Sequence, residues 1–199
     1  WSTASWTLPS HASLLTGQYP TAHGAHITPF TDDDSNGKNP AHLRESAVTL
    51  AELLAERGYR TAAFAGAGWL SPEFGLLQGY EVRDAENNRT LPAKVISDRA
   101  ISWLSSLDDD EPMHLLLNYF DPHWPYDPEP PFDRFAAGKE HIQIPTLGDL
   151  FSGATATSEQ MDKMLDLYDG EIAYMDHHVG RVLDALRSSG RYEDALIVV

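Results

Sequence analysis

The sequence contains no cysteine. This excludes disulfide bonds, cysteine-based zinc sites and a thiolate nucleophile within the chain. Basic residues are also scarce: 14 lysines and arginines stand against 30 aspartates and glutamates, which gives a formal net charge of −16. Nucleic-acid binding needs a basic surface to neutralise phosphates, so we expect no nucleic-acid partner. No apolar run approaches the roughly 20 residues of a membrane span, and none is predicted.

The 199 residues that are present have the composition of a globular protein, with 42% apolar and 22% charged residues. Apolar runs predict strands at Arg60–Ala65, at Met113–Phe120 and from about Ala195. Helical spacing and end signals predict helices at Pro9–Leu15, Thr49–Arg57, Pro92–Leu107 and Ser158–Ser188. Leu50, Leu53 and Leu54 fall on one face of the second helix, and Ser158 is the expected N-cap of the fourth. Polar residues 21–46 and proline- and glycine-rich residues 121–157 predict loops, the second of them long and structured.

The alternation of strands and helices predicts an α/β fold: one layered, mostly parallel sheet with helices on both faces. By length, we expect residues 1–199 to form a single domain. Trp1–Ser5 has the character of the middle of a chain, and the apolar segment Ala195–Val199 stops without a following loop. We therefore expect a partial catalytic domain, incomplete at both ends.

A hydroxyl residue, Thr7, stands just before the helix predicted to begin at Pro9. The free N–H groups and the positive end of such a helix favour an anion there, and His11 lies within its first turns. Local features of this kind would be needed to attract an anion against the negative charge of the chain. The alternative is an ordinary N-cap on a buried helix.

A longer motif makes this segment more specific. Residues 5–17 read SWTLPSHASLLTG, and residues 19–24 read YPTAHG. They resemble the signature C/S-x-P-S-R-x-x-L-x-T-G, with its Y-P-x-x-H-G continuation, of the sulfatase family in the alkaline-phosphatase superfamily. Thr7 replaces the cysteine or serine and His11 replaces the arginine. The lysine and histidine that many family members carry near residues 65–68 are also absent.

The resemblance extends over nearly the whole chain. Residues 58–62 are similar to the family's G-Y-x-T-A segment, and residues 74–80 resemble its F-G…G-[FY] turn. Residues 120–126 (FDPHWPY) resemble an H-x-P-Y loop whose histidine, here His123, reaches the active site in the family. Residues 174–183 are similar to a Y-x-D-x-x-[IV]-G helix.

His123 can also be argued from its position. It follows the most apolar predicted strand, and open α/β sheets bind ligands at the carboxyl ends of their strands. A neutral imidazole there could protonate a leaving oxygen or hold an oxygen of an anion. The alternative is a loop histidine stacked between Trp124 and neighbouring prolines.

The resemblance implies a metal-dependent hydrolase that cleaves a sulfuric, phosphoric or phosphonic ester, with a small anionic ester as substrate. It implies a divalent cation (Ca²⁺, Mn²⁺, Zn²⁺ or Mg²⁺) bound to Thr7, with the other ligands expected outside this chain. The catalytic residues would be Thr7, His11 and His123. Threonine bears a methyl group on Cβ and cannot become formylglycine, so Thr7 would act as an alcohol, which favours phosphoryl over sulfuryl transfer.

Two other functions remain open from the sequence. Loss of the cysteine, the arginine and the lysine–histidine pair is compatible with a non-catalytic binding module that keeps the fold. A transferase that passes a phosphorylated group to an acceptor would use the same residues as a hydrolase. The sequence makes no prediction of oligomeric state.

Overall fold

A computed structural model describes residues 2–25, 42–66, 68–85 and 90–199. The helices are α1 (Thr7–Thr16), α2 (Pro20–His23), α3 (Leu50–Ala55), α4 (Ala93–Leu104), α5 (Leu147–Phe151) and α6 (Ser158–Ser188). The strands are β1 (Arg60–Ala65), β2 (Val82–Ala85) and β3 (Met113–Asn118). Short 3-10 turns span Gly68–Leu70, Pro72–Phe74 and Phe132–Ala136.

The chain divides into two compact units. The first comprises Trp1–Leu91 and Ser102–Asn118, and the second comprises Pro92–Ile101 and Tyr119–Val199. The boundary passes through α4. The single domain expected from chain length stays a prediction.

The first unit is built on a parallel three-stranded sheet of order β2-β1-β3. The central strand β1 is buried from Thr61 to Ala65, because a strand with neighbours on both sides in a layered sheet is covered on both faces. Ala65, the last residue of β1, stands opposite Ala85 of β2 and Asn118 of β3. The parallel sheet and its helices confirm the predicted α/β class.

Three boundaries in the first unit differ from the prediction. Helix α1 begins at Thr7, two residues before Pro9, because the first-turn amides of a helix need no intrahelical partner and proline is tolerated there. The predicted polar loop 21–46 overlaps α2, and its residues 26–41 lie outside the described part of the chain. Strand β2 was not predicted, since its sequence VRDA has no apolar pattern.

The second unit is dominated by the 31-residue helix α6. Its N-cap is Thr157 and not the predicted Ser158: the Thr157 side chain accepts from the Gln160 N–H and the Gln160 side chain accepts in return. The predicted loop 121–157 contains the 3-10 turn Phe132–Ala136 and helix α5. Residues 195–199 form no strand, because a strand requires a hydrogen-bonded neighbour and no strand in the described part of the chain pairs with them.

Among the described residues, no helix has both the length and the apolar character needed to cross a membrane.

Candidate active site

Helix α1 is held in the first unit by its apolar face. Leu8, Ala12 and Leu15 recur at helical spacing and are almost fully buried. The residue before the helix, Trp6, packs its ring edge-on against Trp69, with the ring centroids 5.3 Å apart. These contacts fix the position of the first turn, where Thr7 is the first helical residue and is half-buried.

The Thr7 carbonyl accepts hydrogen bonds from two side chains of the next turn. The Ser10 hydroxyl lies 3.0 Å from this oxygen and 2.9 Å from the Trp6 carbonyl oxygen. The His11 Nδ1 atom lies 2.9 Å from the Thr7 carbonyl oxygen. The structure therefore brings Thr7 and His11 together at the N-terminus of α1, the helix end at which partial positive charge favours an anion.

The second ring nitrogen of His11 is also engaged. Its Nε2 atom lies 3.3 Å from Nδ2 of Asn118, the last residue of β3. Both nitrogens are thus bonded within the protein, so direct contact of the ring with an anion would require one of these bonds to open. The catalytic role of His11 stays a prediction.

Asn118 is a site residue that the sequence analysis missed. Its Oδ1 atom is buried and has no hydrogen-bond partner among the described residues. The signal was present in the sequence: a polar side chain interrupts the apolar run LLLNYF at the carboxyl end of a parallel strand, where α/β sheets bind ligands. Treating residues 113–120 as a continuous apolar strand concealed it.

His123 belongs to the second unit and lies in the turn that follows Phe120. Its backbone N–H donates to the Phe120 carbonyl at 2.8 Å, and its exposed ring stacks on the Phe120 ring with centroids 4.3 Å apart. The Nδ1 atom donates to the Trp124 carbonyl at 2.7 Å, because a carbonyl oxygen can only accept. In a neutral ring Nε2 is then the unprotonated nitrogen, available to bind a proton or a ligand.

Asp121 is a second group that sequence reasoning passed over. Its Oδ1 atom accepts from the Ala93 N–H at 2.9 Å at the start of α4, and its Oδ2 atom is buried without a partner among the described residues. Burial raises the pKa of the Asp121 carboxyl, and the negative charge of Glu129 adds to the effect. The cap of α4 thus gives Oδ1 a hydrogen-bond partner, whereas Oδ2 has none among the described residues.

Two other histidines, His23 and His26, follow α1 in the sequence. His23 is fully buried: its Nδ1 accepts from the Ala25 N–H at 3.1 Å and its Nε2 lies 3.0 Å from the Ser13 hydroxyl. It therefore stabilises the turn after α1. His26, the next histidine along the chain, lies outside the described residues.

The divalent cation implied by the resemblance finds no complete site in the described residues. They hold no group of three or more histidine, cysteine, aspartate or glutamate side chains placed to bind a metal ion. The side chains that hydrogen bonds link to Thr7 are the Ser10 hydroxyl, the His11 imidazole and, through that imidazole, the Asn118 amide. Hard divalent cations prefer carboxylate oxygens, so these residues do not fit the cation by themselves and no step is assigned to it.

Solved structures share this fold. The chain matches yidJ, a protein of Bacteroides fragilis assigned as a sulfatase, with a TM-score of 0.69 and 16% identity, over 96% of this chain and 50% of that one. It matches the phosphonate monoester hydrolase of Agrobacterium radiobacter with a TM-score of 0.66 and 17% identity, over 97% and 52%. It also matches the C-terminal periplasmic domain of EcEptC from Escherichia coli, solved with Zn, with a TM-score of 0.55 and 14% identity, over 92% and 46%.

The chain therefore spans about half the length of these structures. At such low identities the likeness shows the fold alone. The family is shown by a different comparison, in which the sulfatase family model matches the chain from residue 1 to residue 199. Together with the signature around Thr7, this match establishes that the chain belongs to the sulfatase family.

Proposed function

We propose that this chain carries the nucleophile of an ester hydrolase, and that the nucleophile is the Thr7 hydroxyl. The observation that supports the proposal is the position of Thr7 as the first residue of α1, at the positive end of a helix whose first turn is anchored by buried apolar side chains. The family membership of the chain supports ester cleavage in general. The substrate and the cation are finer parts of the proposal.

In the proposed reaction the Thr7 oxygen attacks the phosphorus or sulfur of the ester. The bond to the leaving alkoxide breaks, the alkoxide takes up the proton that the Thr7 hydroxyl gives up, and the transferred group stays on Thr7 as an ester. Water then attacks that ester, gives one of its protons to the Thr7 oxygen and releases the anion. The first-turn amides of α1 offset the negative charge on the transferred group.

A phosphoric or phosphonic ester is the substrate class that we propose. A formylglycine hydrate can expel sulfate by elimination from its second hydroxyl, whereas a threonyl ester must be cleaved by attack of water on the transferred group. The phosphorus of a phosphoric or phosphonic ester accepts such attack more readily than the sulfur of a sulfate ester does. The solved structure of a phosphonate monoester hydrolase with the same fold is consistent with this choice.

The test uses the full-length protein with matched aryl phosphodiester, aryl phosphonate and aryl sulfate substrates. Thr7→Ala should lower kcat by about 10³-fold or more, because it removes the attacking atom, whereas Thr7→Ser should keep most of the turnover. Thr16→Ala is the matched control, since it removes a hydroxyl at the other end of α1, where that hydroxyl donates to the Ala12 carbonyl and accepts from the Gln18 N–H. Mass spectrometry after acid quenching should find the transferred group on Thr7.

Full turnover in Thr7→Ala would remove Thr7 from the reaction. Faster cleavage of the sulfate than of the phosphorus esters would overturn the proposed substrate class. Transfer of the group from Thr7 to an added alcohol in preference to water would identify a transferase.

A divalent cation is a separate part of the proposal; apart from Thr7, its ligands would lie outside the described residues. Dialysis against EDTA should abolish turnover, and addition of Mn²⁺, Ca²⁺, Zn²⁺ or Mg²⁺ should restore it. His123 is tested in the same assay: His123→Ala should lower kcat by the roughly 10²–10⁴-fold that a general acid contributes.

A non-catalytic binding role is the second candidate. The observation that favours it is that both ring nitrogens of His11 are bonded within the protein. In that case no ester in the panel would be cleaved, and an anion such as inorganic phosphate would bind equally well to the unaltered protein and to Thr7→Ala.

A further inference from the structure

Asn118 occupies the carboxyl end of the sheet in the first unit. Its main chain continues the sheet: it stands opposite Ala65, and its carbonyl oxygen accepts from the Gly66 N–H at 2.9 Å. The backbone on which its amide is carried is therefore fixed by strand pairing. The side chain reaches His11, which is 107 positions away in the sequence.

The hydrogen bonds around His11 determine where its ring proton lies. The Thr7 carbonyl oxygen can only accept, so Nδ1, at 2.9 Å from it, must carry a hydrogen. In the neutral ring Nε2 is then an acceptor. The neighbour at 3.3 Å is the Asn118 Nδ2 group, which can only donate. The two contacts are consistent with one tautomer, the one protonated on Nδ1.

The unpaired oxygen of Asn118 follows from the same arrangement. Since Nδ2 is turned toward His11, Oδ1 points away from it and lies buried without a partner among the described residues. The opposite amide orientation would place two acceptors, Oδ1 and Nε2, against each other. A buried carbonyl oxygen without a hydrogen bond costs free energy. The bond between Nδ2 and the His11 ring therefore holds the amide in an orientation that is otherwise unfavourable.

We infer that Asn118 is a positioning residue, which holds the His11 ring in the Nδ1-protonated tautomer and in a fixed orientation beside Thr7. The inference rests on the proposed function, because it gives this ring a place at the carbonyl of the residue that carries the attacking hydroxyl. Free histidine in water favours the proton on Nε2, so the protein selects the less common tautomer here. A ring with its proton on Nδ1 keeps the Thr7 carbonyl, and with it the first turn of α1, in place.

The experiment is nitrogen-15 NMR of the full-length protein with selectively labelled histidine, in which the shifts of Nδ1 and Nε2 report which atom carries the proton. The His11 signal is assigned with His11→Gln. In the unaltered protein we expect Nδ1 of His11 to be protonated and Nε2 to be bare. His23 is an internal control of the opposite kind, because its Nδ1 accepts from the Ala25 N–H and its proton must lie on Nε2.

Two substitutions of Asn118 should change the His11 signal in different ways. Asn118→Asp replaces the donor by an acceptor, so Nε2 of His11 should become protonated. Asn118→Leu removes the hydrogen-bonding partner and keeps the branched shape of the side chain, so the His11 shifts should move toward the averaged values of an unconstrained histidine. An unchanged Nε2-protonated signal from His23 in both variants shows that the first unit is still folded.

The inference is overturned if His11 is protonated on Nε2 in the unaltered protein, or if its shifts are the same in all three proteins. Where an ester is turned over, Asn118→Leu should lower kcat by roughly 10- to 100-fold with a smaller change in KM. An unchanged kcat in an enzyme that Thr7→Ala inactivates also overturns it. The proposed function fails separately, through the Thr7 variants, since the spectra report on Asn118 whether or not turnover is seen.

Discussion

His178 is a buried histidine whose ring is hydrogen-bonded to a cation. Only 6% of the residue is exposed, and its Nδ1 atom accepts from the Arg181 guanidinium at 3.1 Å. Arg181 is in turn paired with Asp98 at 2.6 Å. Burial, followed by the charges of Arg181 and His177, lowers the pKa of His178 to about 4. A second proton on this ring would have to displace the guanidinium.

The free energy of unfolding should therefore depend on pH through His178. The unfolded chain binds a proton at this residue near pH 6.5, whereas the folded chain binds it only near pH 4, so stability is lost as the pH falls through this interval. Urea unfolding at several pH values measures the loss. At the lowest pH of this interval, the lost free energy of unfolding should be smaller in His178→Gln by on the order of 1–2 kcal/mol.

His177→Gln is the matched control, since it makes the same change at the exposed neighbouring position. It should retain most of the pH dependence of the unaltered protein, because burial, the largest cause of the lowered pKa of His178, is unchanged. Equal pH dependence in His178→Gln would show that this residue titrates alike in the folded and unfolded chains.

The turn before β2 packs against helix α3 through a glycine. Gly79 has a φ of +86°, and a Cβ atom built on it would lie 2.4 Å from the backbone nitrogen of Glu52. Glu52 forms a capping box with Thr49 at the start of α3. The next residue, Tyr80, is buried, and its hydroxyl lies 2.9 Å from Nε2 of His114 on β3. The G-[FY] pair that ends the turn at residues 74–80 thus joins a helix to the sheet.

Gly79→Ala should be strongly destabilising, by about 3 kcal/mol or more, because it adds a steric clash with backbone to the roughly 1–2 kcal/mol of an unfavourable φ. Gly58→Ala is the matched control: its φ is +83°, but nothing lies within 4 Å of the added Cβ. Gly58→Ala should therefore lose only the roughly 1–2 kcal/mol of stability that the unfavourable φ costs. Thermal or urea unfolding compares them, and equal losses would show that α3 moves away at little cost.

The whole molecule carries a large excess of negative charge, with a formal net charge of −16. Self-repulsion of this kind destabilises a compact state and is screened by salt. The Debye length falls from about 30 Å at 0.01 M to about 8 Å at 0.15 M ionic strength. The ion pairs of the described residues have partly exposed side chains, and such pairs contribute little stability.

Added NaCl should therefore raise the Tm, by roughly 2–5 °C between about 0.01 M and 0.15 M, since repulsion is screened more than attraction is lost. Differential scanning fluorimetry measures the change, and KCl should act alike, because the effect depends on ionic strength. A Tm that falls over this range would show that ion pairs outweigh the net repulsion.

The local sequence pattern determined the position of many of the strands and helices. The apolar runs placed β1 and most of β3, and the spacing and end signals placed α4 and α6 to within a few residues, because burial of one face and capping are properties of neighbouring residues. The signature around Thr7 identified the family and the helix that carries it. Pattern failed where neighbours from other parts of the chain decide: on α3 it grouped Leu50 and Leu53 as one apolar face, and both are more than 40% exposed while Ala51 is buried.

The candidate site divides in the same way. By itself the sequence determined that a threonine stands where the family has its nucleophile, and that a histidine follows four residues later, one helical turn away. Only the tertiary structure decided that Asn118 meets that histidine. Strand pairing brings together residues 107 positions apart, and the tautomer of His11 depends on which atoms of that distant amide face it.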